Sequence, residues 1–233
     1  FIYTTRTPMG VVGLITPWNF PVCIPVWKIA PALLAGNSVV FKPAEQTPAT
    51  ACMIVKIFEE AGLPAGVLNL VHGDGPVAGA AIISDPRIKV ISFTGSNEVG
   101  RIINEQAAKR FARVQLEMGG KNPTLVFASS DLDKTVSQVV RSSFRNQGQI
   151  CLCGSRIFVE KSIYSEFKMR FLKQISDLKV GNPKNSSSDL GAVVSQVHQD
   201  KILSYIELAK KESAVVLTGG VKLNPDGLNG YYI

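Results

Sequence analysis

Short apolar runs alternate along the chain with longer stretches in which apolar residues recur every three or four positions. Short runs bounded by Gly, Pro or Asn are typical of buried strands, whereas the longer period indicates amphipathic helices. We therefore predict strands at 10–15, 38–41, 67–71, 88–93, 113–117, 124–128, 156–160 and 214–217. We predict helices at 25–35, 48–61, 97–109, 131–144, 162–177 and 195–211.

Residues at the predicted helix ends support these boundaries. Gly36 and Asn37 follow the first helix, where a left-handed residue commonly ends a helix. Ser129, Ser130 and Asp131 precede the fourth helix, and any of the three could accept a backbone hydrogen bond as its N-cap. The structure has to decide among them.

Strand, helix and glycine-bearing turn alternate from residue 10 to residue 110, which predicts a parallel α/β sheet. A glycine pair, Gly119-Gly120, follows the fifth strand, and a new strand–helix unit begins after it. We predict a first domain at 1–119 and a second at 120–233. The chain begins without an initiator Met and stops where another strand-like segment begins, so we expect it to be a fragment of a longer protein.

Polar residues follow several predicted strands, and ligands of open parallel sheets bind beyond the carboxyl ends of the strands. Asn19 lies in a loop stiffened by prolines, where its amide either satisfies local backbone groups or donates to an oxyanion. Lys42 and Glu45 lie where a nucleotide ribose would bind, unless they are ordinary surface residues. Ser96 opens a helix, where it is either an N-cap or part of an anion site.

The segment from Gly73 to Gly79 contains a glycine run that differs from the dinucleotide fingerprint. Its spacing is G-x-G-x-x-x-G, and Pro76 follows the second glycine. Taken alone, the run is weak evidence for a nucleotide.

A thiol and a carboxylate are the strongest candidates for covalent chemistry. Cys151 ends a polar, glycine-containing segment, and Glu117 runs into the glycine pair. A thiol can attack a carbonyl carbon, and a carboxylate can later activate water. We expect Cys153 to be a packing residue rather than a second nucleophile, although oxidation could join it to Cys151.

Composition excludes several classes of protein. The residues are 45% hydrophobic and 18% charged, as in an ordinary globular protein. The net charge of +7 is spread along the chain rather than clustered, which disfavours nucleic-acid binding. No apolar run is long enough to span a bilayer. Four cysteines without an even spacing, and no visible signal peptide, favour a reducing, cytoplasmic compartment. Only two histidines occur, so we expect no metal site.

Five segments together resemble the aldehyde dehydrogenase superfamily, in their order and in their spacing along the whole chain. These segments are Pro17-Trp18-Asn19-Phe20-Pro21, Lys42-Pro43-Ala44-Glu45, Phe93-Thr94-Gly95-Ser96, Glu117-Met118-Gly119-Gly120-Lys121 and Asn146-Gln147-Gly148-Gln149-Ile150-Cys151. Arg141-Ser142-Ser143-Phe144, Cys151-Leu152-Cys153 and residues 155–167 most resemble the branch that oxidises 2-aminomuconic semialdehyde, with the hydroxymuconic branch as the alternative.

The resemblance implies a Rossmann-type NAD domain followed by part of an α/β catalytic domain. It implies that Cys151 forms a thiohemiacetal and then a thioester, that Asn19 and the Cys151 backbone N–H stabilise the oxyanion, and that Glu117 activates water. The implied cofactor contacts are Ile15, Thr16, Pro17, Trp18, Lys42, Ala44, Glu45, Gly75, Pro76, Gly79, Phe93, Gly95, Ser96, Val99 and Gly119. Glu45 favours NAD over NADP because it would repel a 2′-phosphate. The full-length protein is expected to form homo-oligomers.

Other interpretations remain open. A coenzyme-A-acylating dehydrogenase would pass the thioester to a thiol, which Glu117 disfavours. A non-catalytic NAD-binding scaffold of the same fold is the main alternative. A thiol protease fits poorly, because neither His72 nor His198 is in a recognisable partner setting. Arg145 departs from the small or apolar residues common at its position, and either binds an acidic substrate or reaches solvent.

Overall fold

A computed structural model describes residues 1–225 and 227–233 in full and residue 226 by its backbone. The chain divides into two compact units, Phe1–Gly119 and Gly120–Ile233, here called the first and the second unit. The role of each unit as a cofactor or catalytic domain stays a prediction. No helix in the described part of the chain is both long and apolar enough to cross a membrane.

The first unit is a five-stranded parallel sheet with helices between its strands. Its strands are β1 Val11–Ile15, β2 Ser38–Lys42, β3 Leu68–Leu70, β4 Ile88–Gly95 and β5 Arg113–Met118. Its helices are α1 Cys23–Leu34, α2 Pro48–Glu60, α3 Ala80–Ser84 and α4 Asn97–Ala108. The strand order is β3-β2-β1-β4-β5, so the direction of winding reverses between β1 and β4. This reversal is the switch point at which open α/β sheets bind ligands.

Apolar side chains on both faces of the sheet form two separate clusters. One cluster packs β1, β2 and β3 against α1 and α2, and its members include Leu14, Ile29, Phe41 and Ile54. The other packs β4 against α3 and α4, and its members include Ile82, Ile91, Phe93 and Ile103. Burial on both faces explains why these strands read as apolar runs rather than as alternating patterns.

The turn after α1 shows why a Gly-Asn pair ends that helix. Gly36 has a φ of 78°, a left-handed conformation that glycine adopts readily. The buried Asn37 side chain accepts hydrogen bonds from the backbone N–H groups of Met9 (2.7 Å) and Gly10 (3.1 Å) and donates to the Ala32 carbonyl (3.0 Å). Asn37 therefore anchors the start of β1 to the end of α1.

The second unit contains a two-stranded parallel sheet and three helices. Its strands are β6 Pro123–Val126 and β7 Arg156–Val159, and its helices are α5 Leu132–Phe144, α6 Tyr164–Ser176 and α7 Gln196–Lys211. Its core combines Val126, Val136, Val139, Val140 and Phe167. Of the three candidate caps for α5, Asp131 fills the role by accepting from the Lys134 backbone N–H at 3.1 Å.

The strand predicted at 214–217 is wrong. These residues form no strand, and Val215 is 80% exposed. A strand requires a neighbour to share its backbone hydrogen bonds, and no described segment pairs with this one. Its β-branched composition alone therefore does not make it a strand.

Candidate functional site

The catalytic candidates of the first unit lie at the carboxyl end of its sheet. Asn19 is half-buried in the loop that directly follows β1. Glu117 lies near the end of β5, opposite Thr94 of β4 in the strand register. β1 borders the switch point, and β5 lies one strand beyond it. Polar groups at this edge of the sheet can contact a ligand.

An ion pair between a buried lysine and an exposed glutamate lies at the end of β2. The Lys42 ammonium is 2.7 Å from a Glu45 carboxylate oxygen and donates to the Pro43 carbonyl at 2.9 Å. Burial raises the pKa of the Glu45 carboxyl, but hydrogen bonds from Lys42 and from the Glu45 and Gly75 backbone N–H groups outweigh this effect and hold that pKa below its ordinary value. Glu45 is consequently a carboxylate at neutral pH, and Ala44 is buried beside it.

The glycine run forms a helical turn instead of a dinucleotide-binding loop. Gly75–Gly79 adopts a π-helical turn that continues into the short helix α3. A Cβ at Gly79 would lie in ordinary contact with Lys42 Cδ (3.9 Å) and Ile15 Cδ1 (4.0 Å). Pro76 occupies the first turn, where a missing N–H has no consequence. The run thus packs beside the ends of β1 and β2.

The end of β4 leads directly into α4. Ser96 is the N-cap of α4, and its hydroxyl accepts from the Val99 backbone N–H at 3.3 Å. The ordinary structural interpretation of Ser96 is therefore what the structure shows, and any role toward an anion stays a prediction. The Phe93 ring lies over Gly95, so that a side chain at Gly95 would clash with it. Gly119, the last of the predicted cofactor contacts, directly follows β5.

Two buried hydroxyls at this edge indicate that the residues suit a polar ligand. Thr16 Oγ1 and Thr94 Oγ1 are buried without a hydrogen-bond partner in the part of the chain that the structure describes. Buried polar atoms normally have a partner. They lie after β1 and near the end of β4, on the two sides of the switch point. The donor set at this edge therefore fits a dinucleotide bound across it.

A series of side-chain hydrogen bonds connects α1 to Glu117. Lys28, on α1, is buried and donates to Ser92 Oγ at 2.8 Å and to Gln115 Oε1 at 3.3 Å. Ser92 also donates to Gln115 Oε1, and Gln115 Nε2 donates to Glu117 Oε1 at 3.0 Å. Burial lowers the pKa of Lys28 to about 8, an effect that the charge of Glu117 partly opposes. The sequence patterns did not indicate these hydrogen bonds.

Cys151 lies in the second unit, on an exposed turn after α5. Three consecutive residues before it have left-handed backbones, Asn146 (φ 51°), Gln147 (φ 56°) and Gly148 (φ 71°). Glycine and asparagine tolerate this region, but for glutamine it is strained. Such strain concentrates at functional loops, and here it precedes the predicted nucleophile.

Asn122 fixes the Cys151 turn, although sequence reasoning overlooked it. Its Nδ2 donates to the carbonyls of Cys151 (2.7 Å) and Cys153 (3.0 Å). Gly154 is held from the other side, because its N–H donates to Ser142 Oγ at 3.2 Å and its carbonyl accepts from Ser143 Oγ at 2.9 Å. Asn122 directly follows Gly-Gly-Lys, but contacts to a segment so distant in sequence leave no local pattern.

A cavity of about 290 Å³ lies beside the Cys151 turn. Ile150 and Leu152, the two neighbours of Cys151, line it together with Arg141 and Arg145. Cys153 also lines it and is 7% exposed, which agrees with a packing role. The two guanidinium groups that line this cavity suit a ligand that carries a carboxylate.

The two histidines make contacts of their own. His198 is in the first turn of α7, where its backbone N–H donates to Ser195 Oγ at 3.2 Å. Burial, and secondarily the charge of Lys201, lower the pKa of His198 below its ordinary value. His72 Nε2 lies 3.3 Å from Cys52 Sγ. This thiol–imidazole contact was not predicted, and its thiol is not the predicted nucleophile.

Comparison with known proteins agrees with this arrangement. The sequence model described as the aldehyde dehydrogenase family matches residues 1–233. The chain is 49% identical to 2-aminomuconic semialdehyde dehydrogenase of Danio rerio (99% of this chain, 48% of the relative). It is 48% identical to alpha-ketoglutaric semialdehyde dehydrogenase of Bacillus subtilis (100% and 48%). An NAD+ complex of an aldehyde dehydrogenase from Bacillus cereus is 40% identical, with a TM-score of 0.94 (98% and 46%).

These relatives are longer, and the chain spans about half of their length. The family match nevertheless covers the whole chain, and the parallel α/β fold is the one shared with the solved structures. Both the fold class and the resemblance predicted from the five motifs are thereby confirmed. The chain belongs to the aldehyde dehydrogenase family.

Proposed function

We propose that this chain provides the cofactor-binding edge of the sheet and the nucleophile for an NAD-dependent aldehyde oxidation. The observation that carries the proposal is the set of polar groups at the carboxyl ends of β1, β2, β4 and β5, around the switch point of the sheet. The sheet belongs to a chain that matches the aldehyde dehydrogenase family over its whole length. Solved relatives bind NAD+. The Thr16 and Thr94 hydroxyls at this edge, which have no hydrogen-bond partner among the described residues, support the same ligand here.

NAD would be held by the residues that follow the strands. Lys42 and Glu45 would meet the adenosine ribose, the loop Thr16-Pro17-Trp18 and the start of α4 would meet the diphosphate, and Gly75–Gly79 would flank the adenosine half. When bound, NAD would accept a hydride, which carries both electrons of the oxidation. The ionised Glu45 would accept from ribose hydroxyls and repel a 2′-phosphate.

Cys151 is the proposed nucleophile. Its thiolate would add to the aldehyde carbon, forming a C–S bond and placing negative charge on oxygen. The Asn19 amide and the Cys151 backbone N–H would donate to that oxygen, a contribution of about 3 kcal/mol for each well-placed donor. Loss of hydride from the same carbon leaves a thioester on Cys151.

Glu117 is the proposed base for the second half of the reaction. It would take a proton from water as the water oxygen bonds to the thioester carbon. The C–S bond then breaks, Cys151 leaves as a thiolate, and the product is a carboxylic acid. The balance is one aldehyde, one NAD+ and one water converted to acid, NADH and a proton.

An acidic semialdehyde is the proposed substrate class. Support comes from Arg141 and Arg145 in the cavity beside Cys151 and from two relatives that are named for acidic semialdehydes. An arginine hydrogen-bonded to a carboxylate contributes roughly 1.5–3 kcal/mol to binding.

We therefore expect Arg141→Ala and Arg145→Ala each to raise KM for an acidic semialdehyde about tenfold or more. KM for an uncharged aliphatic aldehyde should stay the same. Lys184→Ala, on the exposed loop between α6 and α7, is the control.

The nucleophile is tested by aldehyde-dependent NADH formation. Cys151→Ala should abolish it, while Cys23→Ala, which removes another exposed thiol, should not. Turnover by Cys151→Ala at the wild-type rate would overturn the proposal. NAD binding without any acyl-enzyme after addition of aldehyde would favour the non-catalytic scaffold instead. Product analysis with and without coenzyme A separates hydrolysis from acyl transfer.

Cofactor choice is tested by Glu45→Gln, which removes the charge and keeps the size of the side chain. We expect the ratio of kcat/KM for NADP to that for NAD to rise in this variant. An unchanged ratio would show that Glu45 does not face the 2′ position. Glu60→Gln, on the exposed end of α2, serves as the matched control.

A further inference from the structure

Gln115 lies between a buried cation and the proposed base. It stands opposite Ser92 in the register of β4 and β5, and two positions before Glu117 on the same strand. Residues two apart on a strand project to the same face. The Gln115 amide can therefore reach Glu117, and its Nε2 lies 3.0 Å from Glu117 Oε1.

The orientation of this amide is fixed by its neighbours. Lys28 Nζ and Ser92 Oγ both donate to Gln115 Oε1. An ammonium has only donors, so it can face only the oxygen end of the amide. The NH₂ end must consequently point the other way, toward Glu117. Lys28 and Ser92 are 5% and 7% exposed, so their geometry is held by packing.

We propose that Gln115 is a positioning residue that holds the Glu117 carboxylate in the orientation needed to activate water. The catalytic part of this inference rests on the proposed role of Glu117, but the contact itself does not. A glutamate side chain has several rotatable bonds, and a single donor of fixed direction restricts them. The amide donates to one carboxylate oxygen, which leaves the other to accept a proton from water.

The contact is tested by NMR of side-chain amides in the whole chain. The NH₂ resonances of Gln115 are identified by their loss in Gln115→Leu. In Glu117→Ala these resonances should move upfield, because a proton loses its carboxylate acceptor. The resonances of Gln106, which lies on α4 and accepts a hydrogen bond from Lys109, should stay in place. Unmoved Gln115 resonances would overturn the proposal, whatever the activity of the protein.

The consequence is tested by resolving the two halves of the reaction. Gln115→Glu keeps the size and the acceptor for Lys28 but removes the donor toward Glu117. We expect the first-turnover burst of NADH to remain within about twofold, while thioester hydrolysis falls about tenfold, equivalent to about 1.4 kcal/mol. Gln106→Leu should change neither phase.

The outcomes separate this inference from the proposed function. A purely structural role of Gln115 would reduce the active fraction, and hence both phases equally, which would contradict positioning. If Glu117→Gln hydrolyses the thioester at the wild-type rate, the proposed role of Glu117 fails, and with it the catalytic part of this inference. The NMR result then still decides the contact.

Discussion

At the scale of single residues, two asparagine side chains hydrogen-bonded to main-chain groups fix the ends of segments in the two units. Asn37 ties the start of β1 to the end of α1, and Asn122 ties the Cys151 turn to the start of β6. Neither has a chemical role in the proposed reaction. Asn122 shapes the segment of the proposed nucleophile, whereas Asn37 fixes the amino end of β1. Each can do so because an amide can bind two backbone groups at once.

Asn122→Leu should loosen the Cys151 turn. The substitution leaves two carbonyls without their donor, and we expect the loss of about 1–2 kcal/mol of local stability. The rate at which iodoacetamide alkylates Cys151, measured by mass spectrometry, should differ between Asn122→Leu and wild type. Asn185→Leu, in the exposed loop between α6 and α7, is the control. Equal rates in Asn122→Leu and wild type would show that the turn keeps its shape without Asn122.

Lys28 should make the stability of the first unit depend on alkaline pH. Its pKa is about 8 in the folded chain against 10.5 for a free lysine. Between these values the unfolded chain holds more protons, so stability rises with pH across this window. We expect wild type to gain roughly 1–3 kcal/mol relative to Lys28→Met between pH 8 and pH 10.5.

The measurement is denaturant unfolding followed by tryptophan fluorescence, since Trp18 and Trp27 both lie in the first unit. Taking the difference from Lys28→Met cancels other groups that titrate at high pH. A difference that stays constant with pH would contradict the depressed pKa. In Glu117→Gln the pKa of Lys28 should fall further, because a carboxylate that raises it is removed.

At the scale of elements, local signals explain most boundaries. All six predicted helices and seven of the eight predicted strands are present. The failure at 214–217 has a physical cause, because strands need partners and composition cannot supply them. Sequence also did not reveal the π-helical turn at Gly75–Gly79 or the left-handed residues before Cys151, because both depend on contacts made by the folded chain.

Much of the candidate site could be predicted for the same reason. Asn19, Lys42, Glu45 and Glu117 stand at strand ends, which the apolar runs locate. Asn122 and Gln115 could not be found in this way. Their partners lie on other elements, and pairing between strands fixes them only after folding.

The cap of α5 offers a matched test of an element boundary. Asp131→Ala removes the side chain that accepts from the Lys134 backbone N–H, and should destabilise the second unit by about 1 kcal/mol. Ser129→Ala, two positions earlier, should change stability by no more than about 0.5 kcal/mol. Circular dichroism during denaturation measures both. Equal losses in the two variants would show that Asp131 is not the effective cap.

At the scale of the whole molecule, each unit has its own apolar core. The clusters around Phe41 and Ile91 are made of residues of the first unit, and the cluster around Val136 of residues of the second. Separate cores allow separate unfolding transitions. The positions of the tryptophans make this measurable, because their fluorescence reports on the first unit.

Val136→Ala, at a position with no exposed surface, should destabilise the second unit by roughly 2–3 kcal/mol. We expect circular dichroism to show an earlier partial transition while the midpoint of tryptophan fluorescence stays unchanged. Ile91→Ala should instead shift the fluorescence midpoint. If Val136→Ala moved both signals together, the two units would unfold as one cooperative body.

The turn at Gly75–Gly79 has a consequence for where negative charge can be accommodated. Only five α-helical residues follow it, so few peptide dipoles are aligned there. The twelve-residue helix α4 begins after β4, on the opposite side of β1. The helix dipole therefore favours the start of α4, rather than the glycine run, as the place for the diphosphate of the proposed cofactor.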